Sequence, residues 1–161
     1  MESDTDEYIT FYIENGTKLI RDYRLPKESD FSYWGTDLDT YFYKSIDYLG
    51  QTKPPYWTKG DFNGDGIIDR AYLLFNNKNN SVELFVFVSI KNEYRIMNLS
   101  SANKNMGVST VILDTDGMMK HALKLFEFEG HAILYLWDTT SNNFQKMSWQ
   151  FWKEQQAQSL N

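Results

Sequence analysis

The segment Asp61-Phe62-Asn63-Gly64-Asp65-Gly66-Ile67-Ile68-Asp69-Arg70-Ala71-Tyr72-Leu73-Leu74-Phe75 joins a short polar loop to an apolar run. Side-chain oxygens recur in the loop at relative positions 1, 3, 5 and 9, with glycines at positions 4 and 6. Because calcium takes about six to eight oxygen ligands at about 2.3–2.6 Å, a loop with this alternation can surround one ion. The predicted ligands are the side chains of Asp61, Asn63 and Asp65, the main-chain carbonyl of Ile67, and Asp69, directly or through a water.

The residues around these oxygens favour one kind of calcium loop over another. Gly66 is expected to make a sharp bend at positive φ, which a residue with a Cβ resists. The helix–loop–helix EF-hand requires a glutamate at position 12, where this chain has Tyr72. The β-branched and aromatic residues that follow favour a strand instead of a helix. The plain alternative is a turn rich in Gly, Asn and Asp that binds no metal.

The segment from Gly60 to Gly66, with the strand after it, resembles the calcium loops of FG-GAP-type repeats, as in integrin propeller blades. The resemblance covers about fifteen residues and implies a bound calcium ion. A single copy in 161 residues excludes a propeller. The wider layout, from Leu25-Pro26 through Tyr56-Trp57 to Tyr135-Leu136-Trp137-Asp138, resembles small exported bacterial proteins, which implies a fold and a habitat but no activity.

Length and composition suit one domain with an aromatic-rich core. Hydrophobic residues make up 42% of the 161 residues, and 17% are aromatic. The formal net charge is -6, and no cluster of lysine or arginine occurs, which argues against sequence-independent binding to nucleic acid or to an anionic membrane. No apolar run approaches the roughly 20 residues of a membrane span.

The expected location follows from the metal loop more than from the composition. Cysteine is absent, which excludes disulfides and thiolate zinc sites but fits several compartments. The N-terminus is acidic where a signal sequence would be basic and then apolar. We expect the mature form of an exported protein, periplasmic or secreted, because calcium loops of low affinity fill only where calcium is near millimolar.

The predicted fold class is α+β, with an antiparallel meander sheet of about five to seven strands and one or two N-terminal helices packed on one face. The single domain divides into a helical part (6–50), a calcium loop with the sheet (56–152), and a polar tail (153–161) that is a frayed helix or disordered. The predicted strands are 67–75, 82–89, 94–99, 110–113, 122–128, 132–137 and 144–151, with a polar loop over 100–107.

Two helices are predicted in the N-terminal part. Apolar spacing favours a helix over 6–24, although Asn15-Gly16 between apolar runs is also a hairpin signal. We favour the helix because the apolar spacing continues in register through Asn15-Gly16. A second helix is predicted from Asp37 to Tyr48, with Gly50 just past its end.

Other candidate sites lack a part that their chemistry requires. Asp114-Thr115-Asp116-Gly117 offers two carboxylates but no later oxygen donor, so we interpret it as a turn. His121 and His131 have no partner at metal-binding spacing and are expected at the surface or on edge strands. Glu127 and Glu129 share one strand face, which we interpret as solvated. With no nucleophile elbow either, no enzymatic activity is predicted.

Aromatic residues concentrate at the C-terminal hairpin. They are Tyr135, Trp137, Phe144, Trp149, Phe151 and Trp152. Such a face can stack on sugars or anchor a protein. We interpret it as core beneath the N-terminal helices, because one sheet face must be buried.

The predicted function is a calcium-binding interaction module with a protein partner. A concrete version is an inhibitor or immunity-type protein against a cell-wall hydrolase, since an acidic surface complements a basic enzyme. The alternative is a carbohydrate-binding or hydrolytic module that uses the C-terminal aromatics with Glu127 or Glu129. Exposed aromatics beside paired carboxylates would favour that alternative, and buried aromatics would count against it.

Overall fold

A computed structural model describes residues 4–27, 30, 45–46, 52–53, 56–104, 106–115, 117–127 and 131–159. The described helices are α1 (Asp4–Asn15) and α2 (Trp149–Ser159). The described strands are β1 (Tyr23–Arg24), β2 (Ser45–Ile46), β3 (Thr52–Lys53), β4 (Trp57–Gly60), β5 (Asp69–Asn76), β6 (Val82–Ile90), β7 (Glu93–Ala102), β8 (Met106–Thr115), β9 (Met118–Glu127), β10 (Ala132–Asp138) and β11 (Asn143–Ser148). Neither described helix is long and apolar enough to cross a membrane.

The strands pair antiparallel, which confirms the predicted α+β class with a helix packed on the sheet. One sheet has the order β1-β5-β6-β7, with β4 also paired to β5, and a second sheet has the order β11-β10-β9-β8. β2 and β3 form a separate pair. The meander therefore divides into two larger sheets, which meet where β8 lies beside β4. At that junction Thr110 Oγ1 donates a hydrogen bond to the Lys59 carbonyl at 2.7 Å.

The core lies on both faces of the central strand β5, whose residues 71–75 are all buried. Alternation along a strand places Tyr72 on one face and Leu73 on the other. On the first face, Tyr72 Oη donates to the Tyr8 carbonyl of α1 at 2.8 Å, and the Tyr12 ring packs on the Tyr72 ring. The same core includes Leu123 and other apolar residues of the second sheet. Burial on both faces explains why this strand is a continuous apolar run instead of an alternating one.

The predicted helix over 6–24 is wrong after Asn15. A turn follows α1, and Tyr23–Arg24 forms β1 against β5. Gly16 packs so tightly against Tyr12 that a Cβ there would lie 2.7 Å from the Tyr12 carbonyl oxygen. Glycine also weakens a helix by roughly 1 kcal/mol relative to alanine. Ile20, which continues the apolar spacing of the predicted helix, is 47% exposed.

Most of the predicted second helix, from Asp37 to Tyr48, lies outside the described residues. At Ser45–Ile46 that prediction is wrong, because these residues form β2 and pair with β3. The β-branched Ile46 favours an extended backbone, which agrees with the observed pairing.

Two further boundaries differ from prediction. The predicted loop over 100–107 is shorter, since β7 continues to Ala102 and β8 begins at Met106. The last strand ends at Ser148 instead of Phe151, and α2 begins at Trp149. Ser148 Oγ accepts the Phe151 N–H at 3.0 Å, so this serine caps the helix. For the polar tail, the helical alternative is confirmed as far as Ser159.

Candidate metal centre

The predicted calcium loop is the connection between two paired strands. β4 and β5 are antiparallel, and Gly60 lies opposite Asp69 at the pair that closes the loop. Residues 61–68 therefore form a hairpin connection. Gly64 has a φ of 74° and Gly66 a φ of 85°, and residues with a Cβ rarely adopt such positive values of φ. The positive φ predicted for Gly66 is confirmed.

Asp61 and Asp65 direct their carboxylates at the main chain of the loop itself. Asp61 accepts the N–H groups of Asp65 at 3.1 Å and of Gly66 at 2.7 Å. Asp65 Oδ1 accepts the N–H of Ile67 at 2.9 Å. The structure thus brings three predicted ligand residues together in one turn. Each carboxylate oxygen has more than one lone pair, so these bonds leave acceptor capacity for a cation.

Asn63 is anchored through only one side of its carboxamide. Its Nδ2 donates to the Ser89 carbonyl of β6 at 2.6 Å, and this bond fixes which way the carboxamide is turned. Its Oδ1 is buried and has no hydrogen-bond partner among the described residues. A buried acceptor without a partner destabilises a fold by roughly 1–3 kcal/mol. A hard cation is one partner that would remove this penalty.

Asp69 anchors the loop to the first sheet. The residue is 0% exposed, and its two oxygens accept the N–H groups of Ser89 at 2.8 Å and of Phe62 at 2.9 Å. Burial raises the pKa of Asp69 to about 7, although the two backbone hydrogen bonds lower it; the charges of Asp65 and Asp61 raise it further. Sequence reasoning predicted Asp69 as a ligand and missed this anchoring role, because burial of position 9 depends on β6.

The donor chemistry of the loop fits calcium better than a softer metal. Within the described residues, no three His, Asp or Glu side chains gather into a metal-binding group. An ion in this loop therefore depends on mixed donors: the carboxylates of Asp61 and Asp65, the carboxamide of Asn63 and the carbonyl of Ile67. All are hard oxygen donors, the type that calcium prefers. The ligand set stays a prediction.

His121 holds the first residue of the loop against the second sheet. Its Nδ1 accepts the Asp61 N–H at 2.9 Å, and β9, on which it lies, pairs with both β8 and β10. The expectation of a surface or edge-strand histidine is therefore wrong for His121, which is half-buried on an inner strand. Its spacing to the loop, 60 residues along the chain, gave no signal in the sequence. His131, by contrast, is exposed.

Gly60 allows the loop to approach the second sheet closely. A Cβ at Gly60 would lie 2.7 Å from Thr110 Cγ2, 3.2 Å from Phe62 and 3.3 Å from His121. Thr110 is itself held by Thr58, since their hydroxyl oxygens are 2.9 Å apart. The end of β4 therefore has no room for a side chain, and this contact fixes the position of the loop between the sheets.

Helix α1 is tied to both strands of the hairpin by one carboxylate. Glu7 accepts hydrogen bonds from Lys59 Nζ of β4 at 2.8 Å and from Arg70 of β5. Burial raises the pKa of Glu7, but the hydrogen bonds and charges of Lys59 and Arg70 outweigh it and lower that pKa overall. Arg70 also stacks over the Phe11 ring at 4.3 Å. These contacts position the hairpin that carries the loop.

The other acidic candidates take no part in this arrangement. The predicted turn over Asp114 to Gly117 is confirmed only in that Thr115 pairs with Met118, so the chain reverses between them; Asp114 is exposed and, like Thr115, belongs to β8. Glu127 is exposed at the end of β9. Glu129 and Asp116 lie outside the described residues.

The prediction that the C-terminal aromatics are core is confirmed in part, because Tyr135 is buried and four others are partly buried, whereas Phe151 is 49% exposed. Tyr135 is 2% exposed, and Trp137 packs edge-to-face on Phe144 with ring centroids 5.1 Å apart. Trp149 and Trp152 stack on each other and pack on the outer face of the second sheet. Both tryptophans belong to α2, so α2 and not an N-terminal helix covers this face of the sheet.

In comparisons with protein-family models, curated proteins and solved structures, no match to this chain was found.

Proposed function

We propose that this protein binds one calcium ion in the loop from Asp61 to Asp69 and acts as a binding module. The observation that carries the proposal is the buried Asn63 Oδ1, which lacks a partner among the described residues and belongs to the same loop as the Asp61 and Asp65 carboxylates. Calcium would supply that partner and would balance the carboxylates around it.

The proposed role of the ion is structural. The loop joins β4 to β5, and its anchors reach Ser89 on β6 and His121 on β9. Holding the loop therefore also holds the junction of the two sheets. Calcium would favour the ionised form of the buried Asp69 and so compensate for the unfavourable burial of that charge.

A binding role is favoured over catalysis by what surrounds the loop. Glu127, the described member of the Glu127 and Glu129 pair, is exposed and lies at the end of β9. Phe151 is the one exposed residue of the six C-terminal aromatics, and a single exposed ring gives little support to a carbohydrate-binding surface. The net charge of -6 favours a basic partner. The concrete form of the proposal is an exported bacterial protein that inhibits a cell-wall hydrolase or gives immunity against it.

Calorimetry with chelator-stripped protein tests the proposal. We expect one site per chain, with a Kd between about micromolar and millimolar, because the loop lacks a bidentate glutamate at Tyr72. Asn63→Ala and Asp65→Ala should weaken or abolish binding. Asp114→Ala, a matched change of an exposed aspartate on β8, should leave it unaltered. No binding heat up to several millimolar calcium would refute the proposal, and so would equal effects of Asp65→Ala and Asp114→Ala.

A further inference from the structure

A cavity of about 510 Å³ opens beside the candidate metal loop. Its walls come from three separate parts of the chain: residues 61–64 of the loop, residues 118–121 at the start of β9, and the end of β10 at Trp137. Its volume lies within the range of about 300–1,000 Å³ that is typical of ligand sites. The loop therefore forms one wall of a space that its metal-binding role does not use.

The mouth of the cavity carries exposed apolar side chains at the start of β9. Met118 is 65% exposed and Met119 is 67% exposed, the two most exposed large apolar side chains that the structure describes. Ile112, 40% exposed, pairs with His121 and so shares the sheet face of Met119. Adjacent exposed methionines are typical of surfaces that adapt to protein side chains. Exposed apolar groups clustered at a cavity mark an interaction site.

The charge around this mouth is mostly negative. Asp61 lies in the wall, Asp65 follows it in the loop, and Asp114 pairs with Met119 across the hairpin. Asp138 directly follows Trp137, and hydrogen bonds from Thr140, Ser141 and Gln145 lower its pKa, so it is ionised at neutral pH.

Asp61 is the one carboxylate among the lining residues, and Asp65, Asp114 and Asp138 are sequence neighbours or strand partners of lining residues; in the same set Lys120 is the one lysine or arginine. Four carboxylates against one lysine favour a cationic occupant.

We infer that this cavity docks a basic segment of a partner protein, with one large apolar side chain of that segment inserted between Met119 and Trp137. The inference rests on the proposed binding function and deepens it, because it names the surface and the chemistry of the partner. The apolar anchor fills the cavity, while flanking lysines or arginines face the acidic mouth. A protein segment suits the site because both an apolar lining and a charged rim are present, as at interface hot spots.

The test uses methyl-labelled methionine and NMR on metal-free full-length protein. The probe is the peptide acetyl-Lys-Lys-Trp-Lys-Lys-amide, and the matched control is acetyl-Glu-Glu-Trp-Glu-Glu-amide. We expect the basic peptide to shift the methyl signals of Met118 and Met119 while the buried Met97 stays unchanged. The acidic peptide should bind at least about tenfold more weakly. Because no calcium is added, this result is independent of whether the loop binds the ion.

Two variants locate the effect. Met119→Lys should abolish the shift at Met118, because it places a cation and removes apolar area at the mouth. Ile13→Lys, at an equally apolar exposed position on α1, should leave the shift intact; Ile13 is 55% exposed.

Each other outcome overturns the inference. Equal binding of both peptides removes the charge argument, and no shift with either peptide up to millimolar concentration removes the site. A shift with chito-oligosaccharide but not with the basic peptide identifies a sugar site instead. Shifts of Met118 and Met119 that appear on raising the protein concentration alone identify a second copy of this chain as the occupant.

Discussion

Replacing Asp69 by asparagine isolates the contribution of a buried carboxylate to the pH dependence of stability. Asp69 is fully buried, and both of its oxygens accept backbone N–H groups, from Phe62 and from Ser89. Asparagine has nearly the same shape but cannot ionise. The variant loses one acceptor, a change that by itself costs roughly 1–3 kcal/mol at any pH, whereas the cost of ionising Asp69 is added in wild type only and depends on pH. The dependence on pH, not the absolute stability, is therefore the diagnostic quantity.

The sign and size follow from the raised pKa. Burial moves the pKa of Asp69 from 3.8 to about 7. The folded state thus binds its proton more tightly than the unfolded state, and stability falls as the pH rises from about 3.8 through about 7. Between pH 5 and pH 8 this one group should lower the free energy of unfolding by about 2–3 kcal/mol. Carboxyls with lowered pKa, such as Glu7 and Asp30, act mainly below that window.

Urea unfolding of chelator-stripped protein at several pH values from 5 to 8 measures this effect. The free energy of unfolding of wild type should fall by about 2–3 kcal/mol from pH 5 to pH 8. That of Asp69→Asn should fall much less over the same range. Asp114→Asn is the matched control, since Asp114 is an exposed carboxylate of β8 that does not contribute to the raised pKa of Asp69 and should keep the wild-type slope. Equal slopes for wild type and Asp69→Asn, or a wild-type stability that rises with pH, would refute the reasoning.

Three further expectations concern the same region. Gly60→Ala should lower stability by about 1–3 kcal/mol through the clash with Thr110 Cγ2, and thermal unfolding should show partial recovery when Thr110→Ser removes that methyl group. Calcium at about 100 times its Kd should add about 2.7 kcal/mol and raise Tm by about 5–10 °C; scanning calorimetry of Asp65→Ala should show no such rise. Purified protein should give no turnover on peptidoglycan, chitin, esters or phosphodiesters, and turnover that disappears in Glu127→Gln would contradict the binding role.

The local chemistry of the loop could be predicted because it depends on short-range spacing. Alternating oxygens with glycine at the bends are visible in a window of nine residues, and the positive φ of Gly66 follows from the same window. The exit strand could be predicted for a similar reason, since its β-branched and aromatic run is long and continuous. Both features require no knowledge of what packs against them.

The predictions that were wrong or incomplete for Asp69 and His121 depend on contacts between residues that are distant in sequence. Asp69 is a buried anchor because Ser89 of β6 lies beside it, and His121 faces the loop because two sheets meet there. Neither contact can be predicted from the local spacing of apolar and polar residues. The helix error has a different source: apolar residues such as Ile13 and Ile20 keep a helical spacing, yet both are exposed. The apolar spacing predicted that these isoleucines lie on the buried face, whereas Tyr8, Phe11 and Tyr12 form the buried face of α1, and the helix ends before Gly16.

The geometry also implies that ion binding and peptide docking are linked. Asp61 and Asn63 belong to both the candidate ligand set and the cavity wall. A calcium ion held there would cancel part of the negative charge at the mouth, so the basic segment should bind less tightly to the calcium-loaded form. By linkage the segment must then weaken calcium binding by the same factor. If the ion instead orders residues 61–64 into a better wall, the coupling takes the opposite sign, because pre-organisation favours docking. The sign of this coupling therefore separates an ion that acts as charge from an ion that acts as scaffold.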